Sequence, residues 1–210
     1  MNIQSKYEQQ NIDQCVSETD SYTIERYLQF FKGFPRPTVR VLDVGCNTGR
    51  GGRLLKERDP DLQIYGLDCV QSRLDRLPEI YEDGVYGIAN QIPVEDCFYD
   101  VVLAGEFIEH LYPSDVDSTL SEFQRVLRIG GRLLLTTPNP NYLKNRLQHR
   151  SVYGVSHLTQ HFPEVLRYRL KMHGFSKVKT RGSGKVTRYL GEHFPLRIMY
   201  GSLLYSADKW

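Results

Sequence analysis

One stretch limits what this 210-residue chain can fold into. Residues 39–52 read Val-Arg-Val-Leu-Asp-Val-Gly-Cys-Asn-Thr-Gly-Arg-Gly-Gly, and Leu54 and Leu55 follow. A β-branched and aliphatic run stops at Gly45, a glycine-bearing turn comes next, and then a helix opens. A strand that feeds a helix through so tight a turn gathers free backbone N–H groups and a helix N-terminus at one point, where a nucleotide can bind. Gly45 and Gly49 give the turn its freedom. Asn47 stands between them and is one of the few non-glycine residues that tolerate a left-handed backbone. A dinucleotide-binding turn needs G-x-G-x-x-G, whereas the spacing here is G-x-x-x-G.

The remainder alternates short apolar runs with helical periodicity. Asp20 or Ser21 is placed to cap a helix whose buried stripe is Ile24, Tyr27, Leu28 and Phe31, ended by Gly33, Pro35 and Pro37. Leu62–Leu67 reads as a second strand closed by Asp68, 23 residues after Gly45, the separation that a strand-turn-helix-strand unit imposes. A carboxylate at that strand end can accept both hydroxyls of a ribose, and Asp is also a common turn former. Val101–Ala104 is a continuous apolar run, as a central parallel strand buried on both faces requires. Ser114 is expected to cap a helix with Val116, Leu120, Phe123 and Leu127 on one face, ended by Gly130 and Gly131. Further strands are expected over Arg132–Thr137, Phe175–Arg181 and Ile198–Ala207, with a helix opened by Pro163. Residues 182–197 show no clear pattern.

A hydrophobic content of 40% suits one α/β domain. The longest apolar runs are four or five residues, too short to cross a membrane as a helix. The polar start, Met-Asn-Ile-Gln-Ser-Lys, lacks an apolar signal region, so a cytoplasmic location is expected. Cys15, Cys46, Cys69 and Cys97 are scattered with no CxxC pair, so free thiols are expected and no metal site. Charge is uneven. Residues 1–137 carry 14 Lys/Arg against 22 Asp/Glu, and residues 138–198 carry 12 against 2. Two readings stand for the basic part: it meets an anionic partner, or it is a solvated face.

Several segments resemble the class I S-adenosylmethionine (SAM)-dependent methyltransferases. V-L-D-V-G-C-N-T-G (41–49) is similar to that family's first motif, with Asn47 in place of the middle glycine. G-I-A-N-Q-I-P-V-E-D-C-F-Y-D (87–100) is similar to its third-strand end. G-E-F-I-E-H-L (105–111), L-R-I-G-G-R-L-L-L-T-T-P-N (127–139) and the ungapped run from His157 to Phe175 extend the likeness, which is nearest to the bacterial small-molecule branch with its quinone-type and glycan-pathway enzymes.

The resemblance implies an α/β fold: a single Rossmann-like, doubly wound, seven-stranded sheet in the order 3-2-1-4-5-7-6 with the last strand antiparallel. Residues 1–37 would form an N-terminal helical cap, 38–137 the SAM-binding core, and 138–210 the substrate-side connection, helix and final strands. It implies S-adenosyl-L-methionine as cofactor, held by Asp43, Gly45, Cys46, Asn47, Gly49, Asp68, Cys69, Asn90, Gln91 and Glu106. The acid that usually contacts the adenine amino group would fall at Ile88, so Asn90 or a backbone carbonyl takes its place, or adenine is recognised by shape. Tyr7 and Tyr22 either cover the cofactor or lie on the surface.

Residues 138–161 form a long connection of the kind that carries substrate residues, with Tyr142, Arg146, Arg150 and His161 as candidates. His157 and His110 compete as the base for a hydroxyl nucleophile, and either can instead be structural. No metal is expected. The reading is O-methylation of a small, anionic, hydroxylated acceptor such as a sugar, a glycan or a prenylated phenol, with peripheral membrane contact as a candidate. No nucleic acid is expected, because the N/D-P-P-Y/F signature is absent. The alternative is a SAM-binding regulator or partner subunit without catalysis.

Overall fold

The computed structural model describes residues 3–12, 21–154 and 156–210, without the side chains of 3–5 and 21. The proposed cap at Asp20 or Ser21 therefore lies outside the described side chains. Seven strands form one sheet: β1 (Arg40–Val44), β2 (Gln63–Asp68), β3 (Tyr81–Tyr86), β4 (Tyr99–Gly105), β5 (Leu127–Pro138), β6 (Phe175–Ser183) and β7 (Ser202–Lys209). Their order is β3-β2-β1-β4-β5-β7-β6. β7 is antiparallel to both β5 and β6, and the other pairings are parallel. This is the expected topology of a Rossmann-like methyltransferase fold.

Side chains alternate across each strand, and the two faces bury separate cores. Val41, Ile64, Val101, Leu103, Leu134 and Leu204 point to one face, where they pack with Tyr27 and Phe30 of α2 (Ser21–Lys32) and Leu55 of α3 (Arg50–Lys56). Leu42, Val44, Val102, Ala104, Leu133 and Leu135 point to the other. There they meet Leu120 and Phe123 of α5 (Val116–Val126), and Leu166 and Leu170 of α7 (Pro163–Met172). Tyr7 of the N-terminal helix α1 (Ile3–Ile12) joins this second core. Short helices α4 (Gln71–Leu74), α6 (Leu143–Leu147) and α8 (Thr187–Leu190) lie in the connections.

Four local expectations change. The buried face of α2 is Thr23, Tyr27 and Phe30, while Ile24 is 45% exposed. Tyr27 stays buried and lies on Gly51, where an added Cβ would be 2.0 Å from its ring. Ser114 does not cap α5; it sits in a 3-10 turn, and Asp115 holds the N-cap position without a side-chain cap bond. The helix ends at Val126, so Leu127 opens β5, and Gly130 (φ +78) and Gly131 lie within that strand, where the register against β4 shifts. β7 begins at Ser202, because Arg197–Met199 forms a 3-10 turn. Among the described residues no helix is long and apolar enough to cross a membrane.

Candidate active site

β1, β2 and β4 end at one edge of the sheet, where the strand order reverses, and their terminal loops surround a cavity. The turn after β1 is wound as its composition predicts. Gly45 has φ +66, Asn47 φ +51 and Gly49 φ +79. The Asn47 side-chain amide donates to the Gly45 carbonyl at 2.9 Å and secures the left-handed bend. A Cβ on Gly49 would lie 2.6 Å from Pro78 and 2.9 Å from Tyr81, so this glycine is needed first by packing.

Asp68 ends β2 and is 4% exposed. Its carboxylate accepts the backbone N–H of Asn47 at 3.0 Å and that of Val70 at 2.9 Å, and Arg73 stands 3.6 Å away. Burial raises its pKa, and Arg73 with the backbone donors opposes that rise. Arg73 is itself buried and donates to the Asn11 carbonyl at the end of α1. The α1 helix is thus tied to the acid of the cavity. Its other tie is Tyr7, 5% exposed, whose hydroxyl donates to Asp115 at 2.7 Å and accepts from the Tyr112 N–H at 2.9 Å. Tyr7 is a cover of the cavity and Tyr22, 40% exposed, is a surface residue.

Beside Asp68, the Ile88-Ala89-Asn90 segment that follows β3 also lines the cavity. Asn90 presents a buried Oδ1 without a hydrogen-bond partner, and so does the Oε1 of Glu106. Glu106 follows β4 with φ +50, a strained conformation for a side chain of this size, held by its N–H donating to Thr136. Buried polar atoms left unpaired around a cavity suit a ligand rich in donors, such as an amino-bearing nucleoside. The residues therefore fit an adenosine-type cofactor.

Of the expected cofactor residues, Gly45, Asn47, Asp68, Cys69, Asn90 and Glu106 line the cavity; Asp43, Cys46, Gly49 and Gln91 do not. Gln91 is exposed, and its N–H donates to the Ile88 carbonyl. Asp43 lies wholly buried beneath the turn, with Tyr27 Oη donating at 2.5 Å and Tyr81 Oη at 2.8 Å. Tyr7, Asn11 and Arg73 line the cavity as well. Arg73 stands five residues after the strand-end acid in the sequence, and only the fold buries it against that acid.

The connection after β5 returns to the cavity through its far end. Leu158 and Thr159 both donate backbone N–H groups to the Glu109 carbonyl, at 2.8 and 3.0 Å, and Thr159 Oγ1 donates to the Ile108 carbonyl. This stitching sets the His157 ring against that of His110, centroids 4.9 Å apart at 83°. His110 lines the cavity. Burial, and then His157, lowers its pKa to about 4, so the ring is neutral at pH 7. His161 is placed differently from the expectation. It is 4% exposed, bound to Thr159 at 2.9 Å and near the Ile108 carbonyl, and serves the stitching. Tyr142 is half-buried beside Gly201, and Arg146 and Arg150 are exposed.

Burial lifts the pKa of Asp43 to about 6, against the lowering effect of the two tyrosine hydroxyls. A carboxylate with a raised folded-state pKa favours the fold below its unfolded value of 3.8 and loses that contribution as pH rises through about 6. Asp43→Asn removes this titration. Its melting temperature relative to wild type should improve between pH 4 and 7, by the equivalent of about 2–3 kcal/mol. A relative loss over the same interval would mean that the ionised carboxylate is the form the fold prefers.

Residues 42–135 match the Methyltransferase domain family. The chain is 33% identical over 136 residues to a malonyl-[acyl-carrier protein] O-methyltransferase of Laribacter hongkongensis, covering 58% of this chain and 45% of that one. It is 33% identical over 134 residues to a fatty-acid O-methyltransferase of Mycolicibacterium smegmatis, covering 60% and 48%. The chain thus spans about half the length of these curated relatives. A SAM-dependent methyltransferase structure from Archaeoglobus fulgidus superposes with a TM-score of 0.70 over 89% of this chain and 92% of that one, at 21% identity. With the motif turn, the strand-end acid and the seven-stranded order in place, the chain has the fold of the class I SAM-dependent methyltransferases and matches the Methyltransferase domain family over residues 42–135.

Proposed function

We propose that this protein transfers the methyl group of SAM to an oxygen of a small, anionic acceptor. The observation that carries the reading is the continuity of one cavity from Asp68, past Asn90 and Glu106, to His110, with the His157 ring packed against it. Asp68 would take the ribose hydroxyls, Asn90 the adenine edge, and Gly45 the close approach of the methionine part. SAM supplies a methyl already activated by its sulfonium. The protein's task is to orient the acceptor oxygen in line and to ease loss of its proton. His157 donates Nδ1–H to the Val152 carbonyl at 2.8 Å, which leaves its Nε2 lone pair free for that proton.

The two relatives named for oxygen methylation act on acyl-type acceptors, which supports an anionic oxygen compound over an amine. The basic connection supports it too. Among the described residues, no ion pair involves Lys144, Arg146 or Arg150, all exposed, whereas Arg169, Arg181 and Arg188 elsewhere in the basic segment are paired with Asp117, Glu192 and Glu25.

Three measurements check this. Asp68→Ala should weaken S-adenosylhomocysteine binding in calorimetry by about 1.5–3 kcal/mol, the worth of hydrogen bonds to a charged group; undiminished affinity removes Asp68 from the cofactor. His157→Ala should lower turnover by about 10²–10⁴-fold with SAM affinity near wild type. Full turnover would leave His157 with only a structural role. Replacing Lys144, Arg146 and Arg150 together with Gln should raise the acceptor KM and flatten its dependence on ionic strength, because exposed charges are screened over about 8–10 Å. Identical salt dependence in both proteins would mark the connection as a solvated face.

A further inference from the structure

Glu109 is the group that the cofactor reading leaves unused. It is 1% exposed, and neither carboxylate oxygen has a hydrogen-bond partner. The Thr137 hydroxyl stands near it without closing a bond, and Arg26 and Glu106 act on it with opposite signs. A carboxylate removed from water without donors is costly, and the usual remedies are a proton or a cation.

Two imidazoles stand beside it in a state suited to a cation. His110 Nδ1 lies 2.8 Å from the Ser156 carbonyl, and His157 Nδ1 lies 2.8 Å from the Val152 carbonyl. A carbonyl only accepts, so each Nδ1 donates there, and the neutral form of either ring carries its lone pair on Nε2. This is the outer support that fixes tautomer and ring direction for metal-binding histidines. One donor atom from each of Glu109, His110 and His157 lies within 4.8 Å of the others.

We propose that Glu109, His110 and His157 bind one divalent first-row transition-metal ion through a carboxylate oxygen and two imidazole nitrogens. Two nitrogens and one oxygen select zinc, cobalt, iron or manganese over magnesium and calcium, which take oxygen donors. Zinc bonds of about 2.0–2.1 Å put tetrahedral ligands roughly 3.3 Å apart, so the three donors close inward on binding. Three protein ligands leave a coordination position open, as in catalytic rather than structural sites.

His110 belongs to this set and to the cofactor cavity, so the ion adjoins the place of methyl transfer. Its role there rests on the methyltransferase reading. The acceptor O–H loses its proton to solvent, the metal-held oxygen bonds to the methyl carbon, and the S–CH3 bond breaks to leave the neutral thioether. The two histidines then act through the ion, and His157 need not take the proton itself. The sequence hides the set because 46 residues separate His110 from His157.

The test uses the tag-free full chain, stripped with a chelator and titrated with Zn2+ and Co2+ by calorimetry. One ion per chain is expected, and Co2+ should show visible d–d absorption. Glu109→Gln and His157→Ala should each lower affinity by at least about tenfold, while His173→Ala, which alters the separate His173–Asp117 pair, should not. If Glu109→Gln does not fold, His157→Ala carries the test. Failure of the wild type to bind either ion, or undiminished binding in His157→Ala, overturns the site. SAM calorimetry on the same protein separates the two readings. Metal binding without SAM binding sinks the methyltransferase reading and keeps the site, and SAM binding without metal binding sinks the site alone.

Discussion

The buried carboxylate of Asp43 holds the nucleotide end of the sheet together. It sits at the penultimate position of β1 with no exposure and is reached by hydroxyls from two different elements, Tyr27 of α2 and Tyr81 of β3. Hydrogen bonds to a charged group are worth about 1.5–3 kcal/mol each, and leaving such a group unpaired costs more. The bonds are geometrically possible only because the first turn of α3 holds Gly51 and Gly52. A Cβ on Gly51 would overlap the Tyr27 ring, and one on Gly52 would lie 2.4 Å from Tyr81. Tyr81 Oη also accepts the Gly52 N–H at 3.0 Å, so the same hydroxyl satisfies a donor at the start of α3. Four elements are fastened under the turn before any ligand is considered.

Above that foundation, the cavity is closed by a helix whose sequence gave it little reason to dock. The α1 segment is polar along its length and has no amphipathic stripe. It is held by single polar anchors: Tyr7 to Asp115 and to the Tyr112 backbone, Arg73 to the Asn11 carbonyl, and Tyr86 to Glu8. Arg73 touches both α1 and Asp68, so the acid at the end of β2 and the cover over the cavity share one guanidinium. One side chain therefore touches both the cover and the cavity.

Charge shows how folding rewrites a sequence-level statement. Along the chain the acidic and basic parts are separate, yet Arg169 meets Asp117 at 3.0 Å and Arg188 meets Glu25, each pair joining a basic-segment residue to an acidic one far earlier. Lys177 and Arg132 converge on Asp208. Exposed pairs of this kind add little stability, about 0–1 kcal/mol, but they remove charge from the field that a ligand meets. What stays without an ion pair on the connection among the described residues, Lys144, Arg146 and Arg150, is a smaller and more local basic feature than the segment total suggests.

The sequence by itself determined the strand–turn–helix at Gly45–Gly49, the strand-end acid at Asp68, the apolar central strand and the order of elements. All of these follow from local periodicity, turn chemistry and a spacing short enough to be read along the chain. Asn47 in a left-handed conformation and Pro163 at a helix start belong to the same class. Tertiary structure decided what depends on contacts between distant segments. It turned α2 so that Phe30, not Ile24, is buried, with Tyr27 lying on Gly51. It took Asp43 out of the cavity and made it a tether, and it made His161 a buried partner of Thr159. It brought His157 to His110 and Glu109 through two backbone hydrogen bonds to one carbonyl. Such pairings are set by packing in three dimensions, where residues far apart in sequence compete for the same buried volume, and no periodicity in the chain encodes them.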